Sequence, residues 1–210
     1  MSEIPHKVVL IGEANVGKLE IISQFTSGSY NTESLTAPFY RKCLETKDGN
    51  SVLFDIYDTI ANDVKYRSLT KTFYRDAKAI IFVYDITNEK SFKELKEYWY
   101  EQMKQLTNED VIFVVAGNKS ELIEDSKVSN EEGEQWAKSI GAVFFPTSAK
   151  NDSGIHAMFD YIGEKINNPK YDYYAEKKKR KEEKNRKKEV DKEIKLSPSN
   201  NKGKKDCVIY

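Results

Sequence analysis

Short apolar runs alternate with amphipathic stretches through residues 1–168, and this alternation limits the possible folds more than any other feature of the sequence. Strands that helices cover on both sides must be apolar on both faces, which is typical of parallel sheets. The sequence therefore predicts an α/β domain with a largely parallel sheet and helices on both faces. Four such runs are present: Lys7 to Ile11, Ala79 to Tyr84, Val111 to Ala116 and Ala142 to Phe145.

A hairpin and four helices complete the predicted domain. Two strand-like segments between Phe39 and Tyr57 flank Asp48-Gly49, and a DG pair in this setting is a strong hairpin signal. Ser129 precedes Glu132 by three residues, which is the spacing of a capping box at a helix start. The helices are predicted over Lys18 to Ser27, Glu89 to Leu106, Asn130 to Ile140 and Gly154 to Asn167.

Pro169 marks the end of this domain, so we expect a folded domain over residues 1–168 and a charged tail over residues 169–210. The whole chain balances 34 Lys and Arg against 34 Asp and Glu, which argues against a general nucleic-acid binder. The tail is basic, because Lys170 to Asp206 holds 15 basic residues against 8 acidic ones. Tyr171 to Ile194 carries no apolar stripe and fits either a solvated helix or a disordered linker, with a flexible tether after it.

The segment Gly12 to Lys18 (GEANVGK) follows the first predicted strand and leads into the first predicted helix. Glycines at the ends of such a loop let backbone N–H groups surround a phosphate, while the helix N-terminus and the lysine add positive charge. The motif predicts a phosphate-binding loop. The plainer alternative is a strand-to-helix turn that contains glycine and a surface lysine. Leu19 stands at the next position, where the motif requires Ser or Thr.

Three further polar elements follow predicted strands. Asp58 ends a strand, where its carboxylate could hold Mg²⁺ directly or through water, because a hard cation prefers carboxylate oxygens. Asn118 to Glu121 (NKSE) and Ser148 to Lys150 (SAK) also follow strands, and open α/β sheets bind ligands at these strand ends. Each element is an ordinary loop sequence by itself, but four loops in this order indicate a nucleotide site.

Together these motifs resemble those of the Rab-type small GTPases of the Ras-like superfamily, over nearly all of residues 5–167. Tyr66 to Thr70, Phe73 to Lys78 and Val83 to Asn88 extend the resemblance beyond the nucleotide loops. It implies a P-loop GTPase fold with a six-stranded, mostly parallel sheet and one antiparallel edge strand. It also implies a GTP/GDP switch with bound Mg²⁺, whose two mobile loops recruit effectors in vesicle-mediated membrane traffic. The NKSE and SAK loops suit a guanine site better than the site of another P-loop kinase or ATPase.

The resemblance also assigns residues to the nucleotide site. Tyr30 stands where an aromatic ring packs on the guanine base. Asn118 and Lys119 belong to the base site, and Ala149 offers its backbone N–H to the guanine oxygen. The residues implied to bind nucleotide are Glu13, Ala14, Asn15, Val16, Gly17, Lys18, Leu19, Glu20, Tyr30, Thr36, Ala61, Asn118, Lys119, Glu121, Ser148, Ala149 and Lys150.

Several of these positions depart from the family pattern at the metal and the base. Leu19 replaces the Ser or Thr whose hydroxyl ligates Mg²⁺, and losing a metal partner costs about 10-fold or more in affinity. Asp58 and Thr36 are the implied metal ligands, although Ala37 to Phe39 differs from the family sequence after the threonine. Glu121 replaces an aspartate that pairs with the guanine, so we expect looser base selectivity.

Lys18 and Asn62 are the implied catalytic residues. Asn62 is a weak substitute, one methylene shorter than the glutamine that orients the attacking water. Ala61 keeps the N–H that senses the γ-phosphate but lacks the backbone freedom of glycine. Because the chemistry depends on positioning, we expect slow hydrolysis. The sequence leaves open a pseudo-GTPase that acts as a membrane-tethered interaction module without turnover.

The last four residues, Cys207 to Tyr210 (CVIY), have the form of a prenylation box, although Tyr is not a usual last residue. The alternative is a free cysteine without function. No apolar run approaches the roughly 20 residues that cross a bilayer, so we expect membrane binding to come from the tail. Lys202, Lys204 and Lys205 could contact anionic headgroups beside the lipid.

The resemblance implies partners and a location as well. The implied partners are a membrane, reached through the prenylated tail, and effector, exchange-factor and GTPase-activating proteins, with no nucleic acid. The implied location is the cytoplasmic face of an endomembrane compartment, with cycling through the cytosol. The two cysteines, Cys43 and Cys207, suggest no disulfide framework, which is typical of a reducing compartment.

Overall fold

The structure, a computed structural model, describes residues 4–32, 37–46, 49–59 and 74–196. The chain forms two compact units. The first ends at Tyr171 and the second begins at Asp172. Four of the site residues named from the sequence lie outside the described residues, and they are Thr36, Ala61, Asn62 and Cys207.

The first unit is built on a six-stranded sheet. Its strands are β1 (His6–Ile11), β2 (Tyr40–Glu45), β3 (Ser51–Asp58), β4 (Ala77–Asp85), β5 (Ile112–Asn118) and β6 (Val143–Pro146). The order across the sheet is β2-β3-β1-β4-β5-β6, in which β2 runs antiparallel to β3 and all other neighbours run parallel. The predicted mostly parallel sheet with one antiparallel edge strand is thereby confirmed.

The described part of the chain contains six α-helices, five in the first unit and one in the second. They are α1 (Lys18–Ser27), α2 (Glu89–Glu94), α3 (Tyr100–Leu106), α4 (Asn130–Ser139), α5 (Ile155–Asn167) and α6 (Tyr173–Leu196). A short 3₁₀ helix, Ser120–Asp125, follows β5. The start of α4 is as predicted, because Ser129 and Glu132 form the expected capping box through reciprocal hydrogen bonds.

The helix predicted over Glu89 to Leu106 is not uniform. A π-helical turn, Leu95–Trp99, separates α2 from α3, and the N–H of Tyr100 donates to the carbonyl of Leu95 five residues earlier. A π turn accommodates one residue more than an α turn. Residues 89–106 contain neither Gly nor Pro, so nothing in the local sequence marks the position of this turn.

Apolar side chains cover both faces of the sheet. Phe25 of α1 stacks on Phe159 of α5, with ring centroids 3.7 Å apart. A separate cluster includes Phe82, Phe92 and Trp136, in which the last two rings meet edge to face at 5.5 Å. Aromatic pairs in these arrangements add to the stabilisation that comes from burying their area. Because apolar side chains pack on both faces of the sheet, the strands are held in place. The loops at the carboxyl ends of the strands therefore start from fixed positions.

The second unit begins with a capped helix. The carboxylate of Asp172 accepts from the backbone N–H groups of Tyr174 and Ala175, each at 3.0 Å, which satisfies the first turn of α6. Glu176 and Arg180 form an ion pair four residues apart on the helix surface. The charged segment was predicted to be either a solvated helix or a disordered linker, and in the structure it is a helix. No helix in the described residues has both the length and the apolar character needed to span a membrane.

Candidate nucleotide-binding site

The loop from Gly12 to Gly17 joins β1 to α1, and its shape requires glycine at both ends. Gly17 precedes α1 with φ of 93°, and a Cβ there would lie 2.2 Å from the Asn118 amide nitrogen. A Cβ on Gly12 would lie 2.1 Å from the carbonyl oxygen of Val83 in β4. Real Cβ atoms do not approach other atoms this closely, so the backbone of the loop can adopt this path only without those side chains.

Lys18 reaches back across this loop. The side chain is 6% exposed, and its Nζ donates to the carbonyl oxygens of Gly12 at 3.0 Å and Glu13 at 2.8 Å. Burial lowers the pKa of Lys18, and the carboxylates of Asp58, Glu13 and Glu20 oppose that shift. The ammonium group is thus held at the loop before any ligand is present, where a phosphate could share its charge.

Asp58 ends β3 beside β1, in register with Leu10. Its Oδ1 is buried and has no hydrogen-bond partner among the described residues. Burial raises the pKa of Asp58, and Lys18 opposes this shift. The hydroxyl of Thr59 donates to the carbonyl of Leu10 at 2.7 Å, which fixes the end of the strand. An oxygen without a partner fits a hard cation such as Mg²⁺.

The rest of the metal site is sparse. No group of three or more His, Cys, Asp or Glu side chains is placed to hold a metal in the part of the chain that the structure describes. Leu19 is half-buried in the first turn of α1, and its side chain has no oxygen to offer. The described residues therefore fit an ion that is held mainly by Asp58.

Asn118 lies at the centre of the site and is 2% exposed. Its Nδ2 donates to the carbonyl of Val16 at 2.8 Å, and its Oδ1 accepts from the hydroxyl of Thr147 at 3.3 Å. One buried amide thus joins the phosphate loop, the end of β5 and the segment after β6. The sequence had suggested Asn118 for the base, and Thr147 was not among the predicted residues.

Lys119 forms an ion pair that the sequence analysis did not anticipate. Its Nζ lies 2.7 Å from the carboxylate of Asp85 at the end of β4, and its backbone is left-handed, with φ of 66°. Asp85 also accepts from the N–H and the hydroxyl of Thr87, each at 2.8 Å. Burial alone would raise the pKa of Asp85, but these hydrogen bonds hold it below its usual value. The position of Asp85 at a strand end was the signal that could have found it.

A cavity of about 130 Å³ lies between these loops. All nine residues that line it are on the predicted nucleotide-binding list: Asn15, Gly17, Glu20, Tyr30, Asn118, Lys119, Glu121, Ala149 and Lys150. Tyr30 is half exposed and lies at the edge of this lining. Glu121 has a buried Oε2 without a partner among the described residues, which leaves an acceptor for a ligand N–H group.

The other predicted residues within the described part of the chain adjoin the lining residues in sequence. Glu13, Ala14 and Val16 lie in the phosphate loop, and the Val16 side chain is buried. Ser148 is buried, and its Oγ accepts from the N–H of Asn151 at 3.0 Å, which shapes the loop that presents Ala149. These residues set the backbone of the site rather than its lining.

Comparisons with known proteins agree with this geometry. The profile of the Ras family matches residues 7–168. Ras-related protein RabC of Dictyostelium discoideum is 34% identical over 168 residues, which cover 78% of this chain and 85% of RabC. Human Ras-related protein Rab-42 is 31% identical over 168 residues, which cover 76% and 77% of the two chains. Bovine Rab-21 is 35% identical over 156 residues, which cover 73% and 69%.

Replacing Asp85 with Asn should destabilise the protein in a pH-dependent manner. Because the folded-state pKa of Asp85 is lowered, the stabilisation is present above the unfolded-state pKa of about 4 and disappears as pH falls through the folded-state value. Urea unfolding of D85N should therefore show a loss of about 1–3 kcal/mol at pH 7. The difference from wild type should shrink as pH falls below about 4 and disappear once pH is below the folded-state pKa of Asp85.

Asp110→Asn is the matched control, because Asp110 pairs with Lys78 at the same 2.7 Å but is 71% exposed. Surface pairs contribute roughly 0–1 kcal/mol, so D110N should change stability little. Equal losses in the two variants would show that burial of the Asp85 pair is unimportant.

Proposed function

The chain belongs to the Ras family and is a Rab-type small GTPase, and from this we propose that it binds GTP and GDP in the cavity beside the phosphate loop. The observation that carries the proposal is the cavity lining, because nine residues from four separate segments of the chain meet around one space. Lys18 and the loop N–H groups would hold the phosphates, while Asn118, Lys119 and Glu121 would hold the base. As in other members of the family, GTP and GDP would favour different shapes of the switch loops.

The weakest part of this site is the position of the metal. Mg²⁺ would neutralise phosphate charge when bound, and Asp58 beside Lys18 supplies a buried carboxylate oxygen without a partner among the described residues that fits it. Leu19 adds no ligand, so we propose that nucleotide binding here depends less on Mg²⁺ than in relatives that carry Ser or Thr. The carboxylates of Glu20 and Glu121 in the same cavity add negative charge that opposes a phosphate ligand.

We further propose that hydrolysis is slow. Asn62 reaches a shorter distance than the glutamine of the family pattern, and Ala61 replaces a glycine. Attack of water on a phosphate needs an oriented nucleophile more than any covalent help from the protein, so a shortened side chain reduces the rate directly. Exchange-factor and GTPase-activating proteins would then set the nucleotide state, and effectors would bind the GTP form.

The nucleotide content of natively purified protein tests the proposal directly. About one guanine nucleotide per chain should be released on denaturation and identified by chromatography. Lys18→Met should reduce this content strongly, because the buried ammonium is lost while the volume is kept. Lys78→Met is the control, since Lys78 pairs with Asp110 and does not line the nucleotide cavity.

An empty site that also fails to take up labelled GDP or GTP would reject the proposal. It would favour a pseudo-GTPase that acts as an interaction module. The half-buried Leu19 and the two cavity carboxylates, Glu20 and Glu121, are the observations that favour this second candidate.

Restoring the two missing family side chains should restore the two weakened properties. Leu19→Ser should increase the effect of EDTA on release of labelled GDP by about 10-fold or more, because a hydroxyl ligand returns. Asn62→Gln should raise single-turnover phosphate release, because the longer amide reaches the attacking water. Leu19→Ala and Asn62→Ala are the controls, since neither supplies the missing group. Wild-type rates that already equal those of Leu19→Ser and Asn62→Gln would contradict this account.

We also propose that Cys207 carries a prenyl group and that the basic tail strengthens binding to anionic lipid. One lipid chain gives marginal membrane binding, so the lysines near the cysteine would supply the second signal. A prenyl group and a basic tail of this kind would hold the protein on the cytoplasmic face of an endomembrane compartment, with exchange through the cytosol. Vesicle-mediated traffic is the process in which Rab-type proteins of this kind act.

Metabolic labelling with a prenyl analogue checks this part of the proposal. Wild type and Cys43→Ser should incorporate the label, and Cys207→Ser should not. Because Cys43 is the other cysteine of the chain, this control separates lipidation at the tail from nonspecific thiol labelling. Equal incorporation in Cys207→Ser and wild type would refute it.

A further inference from the structure

We propose that Trp99 is a positioning residue for the phosphate loop, acting through the side chain of Glu13. The inference deepens the proposed nucleotide site and rests on it for its functional meaning. The indole Nε1 of Trp99 donates to Glu13 Oε1 at 3.2 Å, across 86 residues of sequence. This contact joins the end of the π-helical turn to the second residue of the phosphate loop.

The indole ring lies in the core, where its N–H group needs an acceptor. Trp99 is 2% exposed and belongs to the same apolar cluster as Ile80, Phe82 and Phe92. A buried indole N–H without a partner is costly, so tryptophan in a core is normally oriented toward an oxygen. Here that oxygen is a carboxylate, and hydrogen bonds to charged acceptors are stronger than those to neutral ones.

Trp99 is the last residue of the π-helical turn, so its direction depends on that turn. Each helical residue rotates by about 100° around the axis, so one inserted residue redirects every side chain that follows relative to the preceding turn. The insertion ends at Trp99, and α3 continues regularly from Tyr100. No Gly or Pro occurs in residues 89–106 to account for the turn, and the hydrogen bond to Glu13 is made by its last residue.

Glu13 transmits this contact to the phosphate-binding lysine. Its carbonyl oxygen accepts from Lys18 Nζ at 2.8 Å, while its carboxylate accepts from Trp99. The negative charge of the same carboxylate also helps Lys18 remain protonated against burial. The Trp99 bond therefore fixes the residue that holds the lysine, and losing the bond should loosen the loop and speed release of nucleotide.

Hydrogen exchange of the loop amides in full-length protein tests the idea. Trp99→Phe keeps an aromatic ring but removes the N–H group. Loop amides of residues 12–18 should exchange roughly tenfold faster in this variant, and labelled GDP should leave faster by a similar factor, which is a typical effect of one hydrogen bond to a charged group. Trp136→Phe is the matched control, because Trp136 packs in the same cluster on Phe92 and should leave loop exchange unchanged.

A double-mutant cycle separates positioning from general loss of packing. Glu13→Ala should reproduce the Trp99→Phe effect on loop exchange, and the double variant should add little more. Glu13→Gln retains an acceptor oxygen without the charge, so its loop protection should lie between those of wild type and Glu13→Ala. Additive effects of the two single changes, or loop protection in Trp99→Phe equal to wild type, would overturn the proposal.

The bond can also be tested from the side of Glu13, and without bound nucleotide. If Trp99→Phe does not fold, Glu13→Ala still tests the bond from the loop side, because it leaves the core intact. The indole N–H resonance of Trp99 should then shift in Glu13→Ala and stay in place in Lys78→Met, and an unmoved resonance would count against the bond. If wild type takes up no guanine nucleotide, the proposed function fails while loop exchange still decides this inference.

Discussion

A buried hydrogen bond from the Asn118 side chain to the carbonyl oxygen of Val16 is the contact on which the rest of the site depends. It links residues 102 apart in sequence, and the same amide accepts from Thr147, so three loops share one side chain. Buried polar groups need partners, and moving one loop would therefore leave polar atoms of the others unsatisfied. Gly17 is part of the same constraint, because a Cβ there would occupy the position of the amide. The phosphate loop and the base-side loops consequently form one cooperative unit.

The charges around the cavity set the balance between the two candidate functions. Burial lowers the pKa of Lys18 and raises that of Asp58, and the negative charge of Glu20 nearby pushes the pKa of both groups upward. A nucleotide that enters must therefore share the lysine with carboxylates already near it. Binding then depends on how well the loop N–H groups compensate for that competition, and the contact from Trp99 to Glu13 acts on the same loop.

The sequence predicted the sheet, and the residues that it named for a nucleotide include all nine that line the cavity, but it did not predict the contacts that hold the loops in place. β1 and the capping box at Ser129 follow from apolar runs and local spacing, which are properties of neighbouring residues. The lining of the cavity followed from motif resemblance, because strand ends converge at one edge of a parallel sheet. Asp85, the partner of Lys119, was missed although it lies at a strand end, whereas the π-helical turn and the partner of Trp99 could not be predicted. They arise from tertiary packing between distant segments, and no local pattern encodes them.

The left-handed backbone of Lys119 has a consequence for the way a ligand would be received. A non-glycine residue in this conformation is strained by about 1 kcal/mol, and the pair with Asp85 offsets that strain. A change of the Lys119 backbone to an unstrained conformation would break the ion pair with Asp85. The strain and the ion pair therefore oppose each other, and the aliphatic stem of the lysine is held in one orientation. Its conformational entropy is lost during folding rather than during binding. A planar ring that settles against this stem would therefore meet a surface that is already ordered.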